Sequence, residues 1–204
     1  MLKQNVETDG TDESHGEPPK AMRADARRNL DTLLRAAMDV FTEAGVDAPV
    51  RDIAEKAGVG VGTVYRHFPL RSDLIVAVLQ TQIDECAGAA ADLAAKYNAG
   101  EALAHWMDRY VGLLAHKRGF AGALHSGDPA YSTLSPYFFK RMAPVLHALL
   151  ENAATSGAIR PGVEAHDLLH AVATLCNGPH GEQPVYAGKM VELLVDGLRY
   201  GAAR

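Results

Sequence analysis

Apolar residues recur along this chain at spacings of three and four, the period of a helix face, and strand-like alternation is hard to find. The rhythm predicts an amphipathic helix from Arg27 to Ala44. Two short helices follow over residues 50–68. Ile53, Ala54 and Ala57 share the inner face of the first, and Val61, Val64 and Phe68 that of the second. Gly58 stands where the chain must turn between them, and glycine tolerates the left-handed backbone that ends a helix. A long helix is expected over Arg71–Tyr97, ended by Asn98-Ala99-Gly100, and another over residues 101–117. A shorter segment lies around Phe120–His125, and Gly127, Pro129 and Ser135 mark irregular chain. Pro136 suits the first position of a further helix. Pro144 is expected to kink or divide that helix, and Gly157 to stop it. Val163–Asn177 and Val185–Tyr200 predict a closing pair across a polar loop at 178–184. The expected fold class is all-α.

The two short helices and their glycine turn have the layout of a helix-turn-helix, whose second helix enters the major groove of DNA. Gly62, Thr63, Arg66 and His67 remain on its outer side, with Tyr65 at the flank. Tyr65, Arg66 and His67 can donate to phosphate oxygens. Thr63 can reach a base edge or a phosphate, and Gly62 permits close backbone approach. Residues 27–79 resemble the N-terminal domain of TetR-family transcriptional regulators. The resemblance rests on Phe41-Thr-Glu-Ala-Gly45, on Arg51-Asp-Ile-Ala-Glu-Lys-Ala-Gly58, on Val59-Gly-Val-Gly-Thr-Val-Tyr-Arg-His-Phe-Pro69 and on a new helix from Arg71. It covers about a quarter of the chain.

The resemblance implies a three-helix DNA-binding domain followed by an all-helical domain for ligand binding and dimerisation. It makes Tyr65 and His67 phosphate clamps, Thr63 and its neighbours groove-facing, and Arg71 a phosphate-contacting cation at the next helix's start. Arg28 and Arg51 join the expected DNA contacts. Where family members often carry Ser and Lys, this chain has Gly60 and Val61. Glycine still serves as an N-cap, and Val61 is left to touch a thymine methyl. Leu70 replaces a usual capping hydroxyl, leaving Ser72 and Asp73 to favour the next helix's start.

Charge alters this picture only locally. The chain has a net charge of −5 over 204 residues, which is unusual for a DNA binder. Residues 1–19 carry one Lys against five acids and read as a disordered acidic tail. Residues 20–72 carry nine cations against seven acids, and residues 73–204 ten against thirteen. The cations of Lys20, Arg23, Arg27 and Arg28 lie where they can reach DNA, or simply form a solvated helix start. Phosphate contact needs local cations rather than a basic protein. So weak an excess calls for two domains acting together. The expected divisions are a tail at 1–19, a DNA-binding domain at 20–70 and a helical domain at 71–204.

The expected partners are double-stranded operator DNA, a small-molecule effector and a second copy of the chain, with no membrane and no cofactor. No apolar run reaches the roughly 18 residues of a transmembrane span, and the N-terminus carries no secretory signal. A cytoplasmic location follows. Cys86 and Cys176 read as buried reduced thiols. Trp106, Met107, Tyr110, Phe120, His125, Tyr131, Tyr137, Phe138 and Met142 suit the wall of a mainly apolar ligand pocket, and suit an ordinary core equally well. In the resembled family the last two helices pack against their copies as a four-helix bundle. That implies interface roles for Leu168, Val172, Leu175, Val191, Leu194 and Leu198, and close helix approach would offset the propensity cost of Gly188, Gly197 and Gly201.

An enzyme is not expected. His166 and His170 lie four apart, without the internal glutamate of a zinc-protease helix or a clear third ligand. The run Gly58-Val-Gly-Val-Gly62 lacks the strand and the lysine of a phosphate loop. The expected function is a ligand-responsive repressor that binds an inverted repeat as a homodimer and is released by a small, largely apolar effector. The alternative is a helical ligand-binding or interaction protein whose DNA-binding domain no longer reads DNA.

Overall fold

The structure is a computed structural model that describes residues 20–177 and 184–200. The acidic tail, most of the polar loop at 178–184 and Gly201 lie outside the described residues, as do the side chains of Lys20 and Arg23. All regular structure among the described residues is helical. The first three helices are α1 (Lys20–Ala44), α2 (Val50–Ala57) and α3 (Val61–His67). The long α4 (Arg71–Lys96) leads into α5 (Ala99–Lys117). A 3-10 turn at Arg118–Phe120, the single-turn α6 (Ala121–Leu124) and a second 3-10 segment at Pro129–Thr133 follow. The chain closes with α7 (Leu134–Thr155), α8 (Ala165–Asn177) and α9 (Pro184–Arg199).

Local chemistry sets the boundaries. Gly58 ends α2 at φ +68°. Its N–H bonds the Glu55 carbonyl, and the Val59 N–H bonds that of Ala54, a Schellman closure that satisfies two orphan carbonyls. Gly45 ends α1 and Gly157 ends α7 in the same left-handed region. Asn98 does more than end α4. Its Oδ1 accepts from the Glu101 N–H while the Glu101 carboxylate accepts from the Asn98 N–H, so α5 starts at Ala99, two residues before its expected start. At α4 the Asp73 carboxylate accepts from the Leu70 N–H, and the Leu70 side chain can return no bond.

Pro144 does not divide α7, which runs unbroken through it. It lies on an exposed face, where the Lys140 carbonyl deprived of its intrahelical donor can turn to water. Pro136 is the third residue of α7, not the first, still within the turn whose N–H groups need no intrahelical partner.

The buried residues form two clusters, and α4 belongs to both. Its first half, Leu74 to Leu79, closes over Leu33, Ala37, Phe41, Ile53 and Val64 of the first three helices. Its second half, Ile83 to Leu93, packs into a larger core with α5, α7, α8 and α9. A 26-residue helix is about 39 Å long, so one rigid element spans both cores. Phe120 and Leu134 come from beyond α5 yet pack into the first cluster. The Phe120 ring meets Phe41 edge to face, centroids 5.7 Å apart. Phe120 is therefore wedged against α1 and does not line a ligand pocket.

Candidate functional site

The exposed side of α3 carries the groups that can meet DNA. Val64 is 1 % exposed and anchors the helix, with Phe68 half-buried behind it. Val61 is exposed rather than inward, because α3 is short and its first turn projects beyond the cluster. That leaves its methyls available to a groove. Tyr65, Arg66 and His67 are exposed, Thr63 is half-buried, and nothing stands within 4 Å of a Cβ built on Gly62. Among the described residues Tyr65 and Arg66 have no hydrogen-bond or ion-pair partner.

The other expected DNA contacts sit differently. Arg28 is exposed but pairs with Asp25 one turn back in α1. Arg51 projects from the start of α2, loosely beside Asp52 at 3.7 Å. Arg71 is half-buried, and its guanidinium donates to the Val46 carbonyl, bracing the loop between α1 and α2. Lys56 is held by Glu43 at 2.9 Å and Asp39 at 3.5 Å, so this cation fastens α2 to α1; its hydrogen bond to Glu43 raises its pKa.

A cavity of about 370 Å³ lies between α4, α5, α7 and α8, roofed by α6 and the second 3-10 segment. Tyr110, His125, Tyr131 and Phe138 line it, as the sequence suggested. Trp106, Met107, Met142 and Tyr137 do not. Trp106, Met107 and Met142 are completely buried in the larger core. The Trp106 indole N–H donates to the Cys86 carbonyl at 3.0 Å. Tyr137 instead donates its hydroxyl to Asp84 at 2.7 Å, beside Arg141, and so ties α7 to α4. Burial, followed by that bond to Asp84, raises the Tyr137 pKa. The Tyr110 hydroxyl donates to the Leu169 carbonyl, so Tyr110 offers the cavity a ring without a free polar group. Burial pushes its pKa up.

Sequence reasoning missed Lys117, Phe139 and His170 on the cavity wall. The spacing Tyr110–Leu114–Lys117 along one face of α5 is a signal that could have found the lysine. The His166–His170 pair could have pointed to an aromatic partner: both imidazoles lie against Phe139, at 4.9 and 5.0 Å between centroids. Cys86 and Cys176 are buried and form no disulfide. No helix among the described residues is long and apolar enough to cross a membrane.

The closing pair of helices turns most of its expected interface inward. Leu168, Val172, Val191 and Leu198 are at most 4 % exposed within one chain, because α8 and α9 cover α5 and α7. Leu175 and Leu194 are half-buried. Among the described residues the exposed large apolar groups of α9 are Tyr186 and Leu193, the latter 63 % exposed, with Tyr200 just beyond its end. Open space surrounds Gly188 and Gly197 within the chain.

Comparison with known proteins places this arrangement. The family model described as "Bacterial regulatory proteins, tetR family" matches residues 33–78, and that described as "Transcriptional regulator SbtR-like, C-terminal domain" matches residues 98–200. A TetR transcriptional regulator from Streptomyces coelicolor is 34% identical, with a TM-score of 0.67 over 83% of this chain and 97% of its own. A TetR transcription regulatory protein from Mycobacterium vanbaalenii is 32% identical, with a TM-score of 0.71 over 87% of this chain and 99% of its own. An HTH-type transcriptional regulator of Staphylococcus aureus is 41% identical over 64 residues, 31% of this chain. The match spans about a third of the length of that curated relative. The chain belongs to the TetR family of transcriptional regulators.

Proposed function

We propose that this protein is a repressor that binds an inverted-repeat operator as a homodimer and leaves it when a small, largely apolar effector fills the cavity between α4, α5, α7 and α8. It works in the cytoplasm, where operator DNA is. The observation that carries this reading is that cavity and DNA-reading unit share walls. Leu79 and Leu134 line the cavity and also belong to the core under α1–α3. Burial and Asp128 raise the pKa of the cavity-lining Tyr131, and Arg71, braced on Val46, opposes them. A ligand that moves Leu134 or the 3-10 segment before it therefore changes the packing of Phe120 on Phe41 and the tilt of α3. Coupling of this kind is typically about 1–3 kcal/mol.

Two recognition helices related by a two-fold axis would read half-sites roughly 34–36 Å apart. Tyr65, His67 and Arg66 hold phosphate, with Arg51 beside them, and Thr63, Gly62 and Val61 face the bases. Arg28 and Arg71 contribute only if DNA draws them from Asp25 and Val46. The outward face of α8 and α9, with Leu193, Tyr186, Leu175 and Leu194, meets its copy. The test is fluorescence anisotropy on the DNA upstream of the protein's own gene. Sequence-specific binding that weakens steeply with salt is expected. Binding no tighter than to random duplex overturns the reading and leaves a helical ligand-binding protein that no longer reads DNA.

A further inference from the structure

We propose that the cavity selects an apolar acid, a molecule with one anionic head and a hydrocarbon or aryl body of about ten heavy atoms. The proposal rests on the reading of this cavity as the effector site and specifies its chemistry. Its floor is apolar and closed: Leu79, Ile83, Leu114 and Leu134 are buried, and Tyr110 presents a ring whose hydroxyl is already committed to Leu169. Its mouth is polar and exposed, with Lys117, His125, Ser135 and His170. The ionisable groups of the mouth are all cation-forming, and the wall contains no Asp or Glu.

The nearby carboxylates are engaged elsewhere. Asp84 holds Tyr137 and Arg141, and Asp128 accepts from the Ala130 N–H. Lys117 has no ion pair among the described residues. The His125 Nδ1 is taken up by the Ala121 carbonyl at 2.7 Å, so the lysine is the group that meets an anionic head. A site with an apolar floor and a lysine without an ion pair at its mouth disfavours a cation, and gives a neutral molecule a hydrogen bond without the charge-to-charge attraction that an acid gains. The volume of about 370 Å³ is near the lower end of small-molecule sites. At about 30 Å³ per water-sized group it holds on the order of a dozen non-hydrogen atoms.

The experiment is calorimetric titration of the full chain with nonanoate, octanoate, 1-octanol and octylammonium, of which nonanoate, 1-octanol and octylammonium share an eight-carbon chain and differ in the head. Nonanoate is expected to bind about tenfold more tightly than 1-octanol, the scale of one charge-assisted hydrogen bond, and octylammonium most weakly. Lys117→Met should remove most of the preference for the acid, and Lys117→Arg should keep it. Ala173→Phe, which fills the cavity from α8, should abolish binding of all four. Equal or reversed affinities, no binding of any probe, or an acid preference that survives both Lys117→Met and Ala173→Phe overturns the proposal. Operator anisotropy with the same probes separates this from the reading beneath it. Selective acid binding that leaves DNA affinity unchanged upholds the acid site and removes its effector role. Release of DNA by 1-octanol but by neither acid upholds the effector site and overturns the acid.

Discussion

In the proposed reading, single side chains divide the labour on α3. Tyr65 and His67 are exposed donors on a helix held by one buried valine, so their loss should leave the fold intact. Tyr65→Phe and His67→Ala are each expected to weaken binding to every operator variant by about fivefold, the worth of one hydrogen bond. Thr63→Ala should instead change the ranking among variants. Gel shifts on a panel of mutated half-sites distinguish the two patterns, and a uniform loss in all three would remove Thr63 from base readout. Cys86 makes a prediction of another kind. Burial pushes its thiol from 9.0 up to about 12. The folded chain keeps this proton where the unfolded chain loses it, so the thiol's contribution to stability is whole below pH 9 and declines as pH rises towards 12. Urea midpoints should fall over that range, less so in Cys86→Ser. At pH 8 iodoacetamide should modify Cys86 only after unfolding, as peptide mapping would show.

At the scale of elements, two glycines of similar propensity should behave oppositely. Gly88 lies in the middle of α4 with open space where a Cβ would stand. Gly88→Ala is expected to raise stability by about 0.5–1 kcal/mol, since nothing offsets alanine's better helix propensity. Gly100 lies in the first turn of α5, where a Cβ would come to 3.0 Å from the Ala158 Cβ. Gly100→Ala should lower stability by about 1 kcal/mol, because overpacking of about 1–3 kcal/mol exceeds the propensity gain. Chemical denaturation of both variants checks the signs. The Gly100 contact was illegible in the sequence: the residue reads as a helix stop, and Ala158 lies 58 positions away. The Gly58 turn was legible because its closure involves only Ala54 to Val59.

The whole molecule is two cores on one long helix, and in the proposed dimer its outer helices meet their copies. Leu193 is 63 % exposed on α9 and belongs to neither buried cluster. Leu193→Glu is expected to give folded monomers with unchanged helical content and much weaker operator binding. Light scattering with circular dichroism measures both, and an undisturbed dimer would move the interface off this face of α9. Leu168, Val172, Val191 and Leu198 would not serve for this test. They are buried within the chain, and a charge there would unfold it.

Helical periodicity and the left-handed turn at Gly58 were enough by themselves to define an all-α chain with a helix-turn-helix, because each depends on residues within a few positions of one another. Tertiary structure alone decided which apolar residues face a cavity. Trp106 and Tyr110 lie one helical turn apart, yet the indole is sealed in the core and the phenol ring lines the cavity. It also brought Phe120 onto Phe41 across 79 positions and placed Lys117 over an apolar floor. Periodicity says that a residue is inward. Whether it meets another side chain or empty space depends on which helix crosses it, and at what distance, and that is settled only when the helices pack.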